Sequence, residues 1–316
     1  SVQIGLDVCI FLLNTDRGLQ ATELCNECTT LLQNLGTGIQ LDISHVIFNA
    51  YFAISGYANA ERYTNKLLET LLNVGILTTQ LGDKYEAQSR FVEAKQLFES
   101  ALAIWKTIGH KEVEGLAHGR LGDVCYFRSE MQNAEKYYQK ALAIAIEIGD
   151  RQLQETSTGK LGTVFNSLGK YLKAREYHEK ALAIAIEIGD REGEGRRYGS
   201  LGAVFHYLGE YQRAKEYHEK ALTIAIEIGD RQREGTSSGN LGAVFYSLGK
   251  YQKAIEYHEK ALAIAIETGD RRGEGNINGN LGAVFDSRGE YQKAIEYYEK
   301  ALPIATEIGD RRGEGT

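Results

Sequence analysis

Three sets of residues carry side chains whose types and spacing chemistry could use. Cys25 and Cys28 form a C-x-x-C pair, the spacing of thiolate metal ligands and of redox disulfides. The pair lies in a helical-looking stretch, with no second C-x-x-C and no nearby histidines to complete a site, so neither zinc nor redox chemistry is expected of it. His178, His218 and His258 recur at one register, as a metal ladder or a pH switch would require. Equivalent helices of neighbouring repeats lie roughly 8–10 Å apart, too far to share one ion, and Tyr138 and Tyr298 hold the same register elsewhere. Packing residues with a polar tip are the expectation. Gly159 and Gly162 sit inside a helical stripe without the lysine and serine of a phosphate loop, and are expected to permit close helix approach. No triad or paired-carboxylate constellation stands out, so a non-enzymatic region without cofactor or metal is expected.

The elements that carry these residues are duplicated. Segments 151–190, 191–230, 231–270 and 271–310 superimpose without a gap at a period of 40, and 111–150 is a looser copy in the same register. Leu161, Val164, Phe165 and Leu168 fall on one face of a first helix; Ala174, Tyr177, Ala181, Ile184 and Ile188 fall on one face of a second. Gly169, matched by Gly209, Gly249 and Gly289, supplies a left-handed turn between them. Gly189-Asp190 then ends the second helix and caps the next one. Each unit is a helical hairpin with one apolar face left uncovered, so the copies must stack. Pro303, the lone proline, removes a backbone hydrogen bond and is expected to kink or fray its helix near Glu299 to Pro303.

Upstream the pattern is diverged but readable. GYANAERYTNKLL at 56–68 is in step with EYQKAIEYYEKAL at 290–302, and Tyr57 lies 34 residues before its counterpart Phe91. Eight hairpins are expected, beginning near 1, 38, 74, 113, 153, 193, 233 and 273. The resulting organisation is 1–110, diverged hairpins; 111–310, five regular 40-residue units; and 311–316, the start of a further unit. RRGEGT repeats the opening of a unit without a capping helix. A piece of a longer array, or self-association through uncapped array ends, is the expectation there.

Positions that differ between copies mark where binding chemistry could sit, because the shared positions build the hairpins. In the first helices they form one stripe opposite the packed face. Its occupants include Lys160, Thr163, Asn166, Arg196, His206, Tyr207, Thr236, Asn240, Tyr246, Asn276, Asn280 and Asp286. A polar groove dotted with aromatic rings suits an extended or helical peptide, with asparagines and tyrosines exchanging hydrogen bonds and rings supplying contact area. Drift of a solvated face after duplication would give the same variation. The peptide-binding candidates are Lys160, Asn166, Arg196, His206, Tyr207, Asn240, Tyr246, Asn276, Asn280 and Asp286.

Leu241, Gly242, Phe245, Gly249, Tyr251, Ala254 and Ala261 occupy the signature positions of the tetratricopeptide repeat, which the chain resembles over nearly its whole length. That resemblance implies an all-α solenoid, a right-handed superhelix of about eight helical hairpins, whose first helices line a concave surface that binds a protein or peptide segment. The 40-residue unit, with GD-R-x-x-E-G before the first helix, is most similar to the Leu-Gly-Asn, Pins-like repeats of G-protein signalling modulators. It also resembles arrays that follow nucleotide-binding modules in NLR-like or apoptosome-like receptors. The asparagine of the Leu-Gly-Asn triplet is replaced by Asp123, Thr163, Ala203, Ala243 and Ala283. The arginine those relatives carry at the start of the first helix has a match at Arg196 but not at Thr156, Thr236 or Asn276. A scaffold that binds a partner segment is therefore the leading expectation, with a sensor or autoinhibitory arm of such a receptor and a self-assembling structural array as the alternatives.

Composition agrees with that class. Of 316 residues, 35 are glycine and one is proline, whereas unfolded segments are commonly rich in both. A hydrophobic share of 43% and a charged share of 25% suffice for a buried core. The formal charge of −7 argues against broad nucleic-acid binding, which needs a basic surface. Four cysteines are too few and too clustered for a disulfide framework, which points to a reducing compartment and a cytoplasmic location. The apolar stretches fall short of the roughly 20 residues that cross a bilayer, so no membrane insertion is expected.

Overall fold

The computed structural model describes residues 68–313, and every regular element among them is an α-helix. Readings that fall on 1–67 and 314–316, including Cys9, Cys25, Cys28 and the hairpins expected near 1 and 38, lie outside the described residues. The chain divides into two compact bodies, Ser1–Gly149 and Asp150–Thr316.

In the N-terminal body, α1 runs over 68–87, followed by α2 (Phe91–Thr107), α3 (Lys111–Phe127) and α4 (Met131–Ile148). The helix expected near 74 is already formed at 68. Phe98, Trp105, Leu121 and Val124 are buried together with Ala94, Ala101 and Ala117. Here Ser89 and Ser129 hold the left-handed turn, with φ of 60° and 61°, in place of the glycine used downstream.

The C-terminal body contains α5 (Arg151–Ser167), α6 (Tyr171–Ile188), α7 (Arg191–Tyr207), α8 (Tyr211–Glu227), α9 (Arg231–Ser247), α10 (Tyr251–Thr268), α11 (Arg271–Ser287) and α12 (Tyr291–Gly313). Each packs on the next in the chain, and α5, α7, α9 and α11 also touch one another in sequence. The odd-numbered helices therefore form a layer of their own. The expected leucine, valine and phenylalanine positions are buried in every hairpin, among them Leu161, Val164 and Phe165 and their counterparts Leu281, Val284 and Phe285. Gly169, Gly209, Gly249 and Gly289 take φ between 67° and 77°. Asp150, Asp190, Asp230 and Asp270 each accept a hydrogen bond from the third residue onward, at Leu153, Gly193, Arg233 and Gly273, and so satisfy an amide that the helix start leaves open.

One local expectation fails in α12: the helix does not end at Gly309-Asp310 but runs as one element to Gly313, with Pro303 inside it. Proline forfeits one hydrogen bond while the flanking turns keep theirs, and Ile304 is buried against the body.

The glycine of the leucine-glycine pair lets the second helix approach closely by receiving one of its rings. A Cβ built on Gly162, Gly202 or Gly242 would lie 2.6–2.7 Å from the ring of His178, His218 or His258, and one on Gly122 or Gly282 would strike Tyr138 or Tyr298. These glycines make room for a ring from the second helix.

Candidate functional site

The stripe residues are distributed along the odd-numbered helices: Lys160 and Asn166 on α5; Arg196, His206 and Tyr207 on α7; Asn240 and Tyr246 on α9; Asn276, Asn280 and Asp286 on α11. Lys160, Asn166, Arg196, His206 and Asn240 are half-buried, and the other five are exposed. Three of them converge. Asn240, Asn276 and Asn280, joined by Thr236, line a cavity of about 330 Å³ bounded by α9, α10 and α11. That is within the roughly 300–1,000 Å³ of small ligand sites. Gly239 leaves the space open, and Ala261, Ile264 and Ile277 supply apolar wall.

Other candidates are engaged within the chain. His206 Nε2 and Ser247 Oγ share a hydrogen bond of 2.9 Å, and Tyr246 Oη shares one of 2.9 Å with Ser287 Oγ. The Tyr207 ring, 59% exposed, stacks on Tyr171 with centroids 5.2 Å apart. These contacts join successive hairpins. Burial holds the His206 imidazole below its ordinary pKa. Lys160, Asn166 and Asp286 lie on the stripe away from the cavity lining; the buried Oδ1 of Asn166 accepts no hydrogen bond from the chain.

Arg196 is tied down as well. It donates from Nη2 to Glu155 at 3.4 Å, and Nη1 lies 3.9 Å from Glu192. The stronger arrangement is its neighbour's, which the stripe did not include. Arg197, 3% exposed, donates from Nε to fully buried Glu155 at 2.7 Å, and its guanidinium lies over Gly159, where a Cβ would fall 1.9 Å from Nη1. Burial pulls the Arg197 pKa down, opposed by the Glu155 charge. The sequence does hold a signal for this pair. Glu155 replaces the glycine found at 195, 235 and 275, and Arg197 replaces the serine found at 157 and 237.

His178, His218 and His258 are 1% exposed. Burial lowers them to about 3, 4 and 4, so they are neutral packing rings at pH 7. Among the described residues no group of three His, Cys, Asp or Glu side chains could hold a metal ion, and no described helix is long and apolar enough to cross a membrane. Cys125 is buried, and burial raises its thiol to about 11.

A second, mainly apolar cavity of about 510 Å³ lies on α12 beside the start of α11. Ile295, Tyr298 and Leu302 there are 49%, 43% and 69% exposed. Their counterparts Ile255 and His258 are buried, with Ile255 packed in one cluster with Ile277 and Leu281 of α11.

A family model of the tetratricopeptide repeat matches residues 70–147, 152–227 and 233–307. No curated protein matches the chain. Among solved structures, BtubC from P. vanneervenii is similar at 28% identity and a TM-score of 0.57, over 71% of this chain and 90% of that one. A Rap protein complexed with Competence and Sporulation Factor shares the fold at 15% identity and a TM-score of 0.61, over 98% and 99%. A signal transduction ATPase with a tetratricopeptide repeat sensor, from Pyrococcus horikoshii, shares it at 18% identity and a TM-score of 0.64, over 90% of this chain and 46% of that one.

Proposed function

The chain belongs to the tetratricopeptide repeat family, whose solenoids are generally non-catalytic interaction modules, and on that premise we propose that its C-terminal body captures a peptide segment of a partner protein along the odd-numbered helices. The observation that carries this reading is the convergence of Asn240, Asn276 and Asn280 on one cavity. Each carboxamide both donates and accepts, so the set can pair with the N–H and C=O groups of a peptide backbone. His206 to Ser247 and Tyr246 to Ser287 join neighbouring helices, which limits the ordering entropy the array loses. Panning short random peptides displayed on phage against the chain tests the reading. Enriched peptides should bind wild type and lose affinity to N240A/N280A, with helicity unchanged. Failure to enrich any peptide, or equal binding to the double variant, would overturn it.

Self-association is a second reading, favoured by the exposure of Ile295, Tyr298 and Leu302 where the preceding hairpin buries the matching face. Concentration-dependent sedimentation that L302E abolishes would support it; a monomer at all concentrations would exclude it.

A further inference from the structure

The clefts between successive odd-numbered helices are built from equivalent positions and filled differently. In the cleft between α5 and α7 stand Glu155, Gly159 and Arg197; eighty residues on, the cleft between α9 and α11 has Gly235, Gly239 and Ile277 in their places. In the first cleft the Arg197 guanidinium covers Gly159 and is held by Glu155 at 2.7 Å. In the second both charges are gone, and the space beside Gly235 and over Gly239 is the cavity of about 330 Å³. A Cβ on Gly239 would meet nothing nearer than the Ala261 methyl at 3.8 Å. One chain thus displays a filled and an open form of the same cleft.

The walls decide what can enter the open form. Ala261, Ile264 and Ile277 are apolar, and Asn240 and Asn276 carry neutral carboxamides. Of the two ionic residues that contribute to the lining, Asp270 is engaged in capping the amide of Gly273, and Arg272 is exposed to solvent. A buried guanidinium here would lack the carboxylate that Arg197 has, and an unpaired buried charge is strongly unfavourable. An apolar side chain loses no polar partner and gains burial. We propose that the cleft between α9 and α11 is an anchor pocket for one uncharged, apolar side chain of a bound peptide, with Asn240 and Asn276 holding the backbone beside it. This rests on the groove reading and adds its specificity.

The two forms of the cleft supply the experiment. The double variant G235E/I277R transplants the in-chain plug into the open cleft, and G239A narrows the cleft with a methyl that the geometry accommodates. Peptides selected from a short random phage library on wild type should share one apolar residue. A synthetic peptide of the selected sequence should bind the plugged variant more than about tenfold more weakly, and G239A more weakly than wild type. Should the plug prevent folding by circular dichroism, G239A carries the test. A charged shared residue, or unchanged binding to both variants, would overturn the pocket while leaving the groove standing. No enriched peptide on wild type would overturn the groove and the pocket together.

Discussion

Arg197 and Glu155, 42 positions apart, meet at 2.7 Å with both side chains buried. The pair spans two successive hairpins of the C-terminal body and is housed by Gly159, whose missing side chain leaves space for the guanidinium. Removing Glu155 strands the buried Arg197 charge, and removing Arg197 leaves buried Glu155 only the longer contact with Arg196. Arg197→Ala or Glu155→Ala should each cost about 3–5 kcal/mol. The double variant E155G/R197S, which installs the residue types found at Gly195 and Ser237, should recover most of that loss. Urea unfolding followed by circular dichroism measures the cycle; additive losses would mean that the two residues do not depend on each other.

Glycines of the odd-numbered helices should respond oppositely to alanine. A Cβ on Gly279 meets nothing within 4 Å, so Gly279→Ala should stabilise by about 0.5–1 kcal/mol through helix propensity. At Gly159 the same change expels Arg197 and should destabilise. Gly202→Ala drives a methyl to 2.7 Å from the His218 ring, and overpacking of about 1–3 kcal/mol should exceed the propensity gain. Thermal unfolding of the three variants checks the order.

In the N-terminal body Ser129 takes φ of 61° between α3 and α4, a conformation that disfavours residues with a Cβ. Ser129→Gly should stabilise by roughly 1 kcal/mol. A lower urea midpoint for that variant would contradict this reading of the turn.

Acid should weaken the fold through its buried histidines. His218 and His258 titrate near 4 in the folded chain, against about 6.5 when unfolded. The unfolded chain binds more protons between those values, so stability is complete above about pH 6.5 and falls as the pH drops toward 4. His218→Tyr, the residue type at Tyr138 and Tyr298, should remove roughly 2–3 kcal/mol of the acid loss at about pH 4.5. Identical pH profiles for wild type and variant would refute the assignment.

What the sequence displayed was mostly short in range. The turn glycines, the aspartate caps and the two apolar stripes act within one or two helical turns, and duplication repeats them until they cannot be missed. Gly309-Asp310 shows the limit of such signals, since the same dipeptide that ends α10 lies inside α12. Arg197 with Glu155 escaped because neither residue is informative until adjacent odd-numbered helices are laid side by side. The offset that does so is 41 or 42 residues, as in Glu192 with Arg233, His206 with Ser247 and Tyr246 with Ser287. At that offset Asn276 falls beside 234–235 and Asn280 beside 238–239, which is how stripe residues of α11 come to share one cavity with Gly235, Gly239 and Asn240 of α9.

The central claim is that a peptide lies along the odd-numbered helices and contacts the cavity lined by Asn240, Asn276 and Asn280. Side-chain amide resonances of these three asparagines, followed by NMR as a phage-selected peptide is titrated into the chain, test it most directly. The account predicts saturable shifts of all three with one dissociation constant. Shifts confined to exposed residues of the even-numbered helices, such as Glu256 and Lys300, with the three carboxamides unmoved, would contradict it.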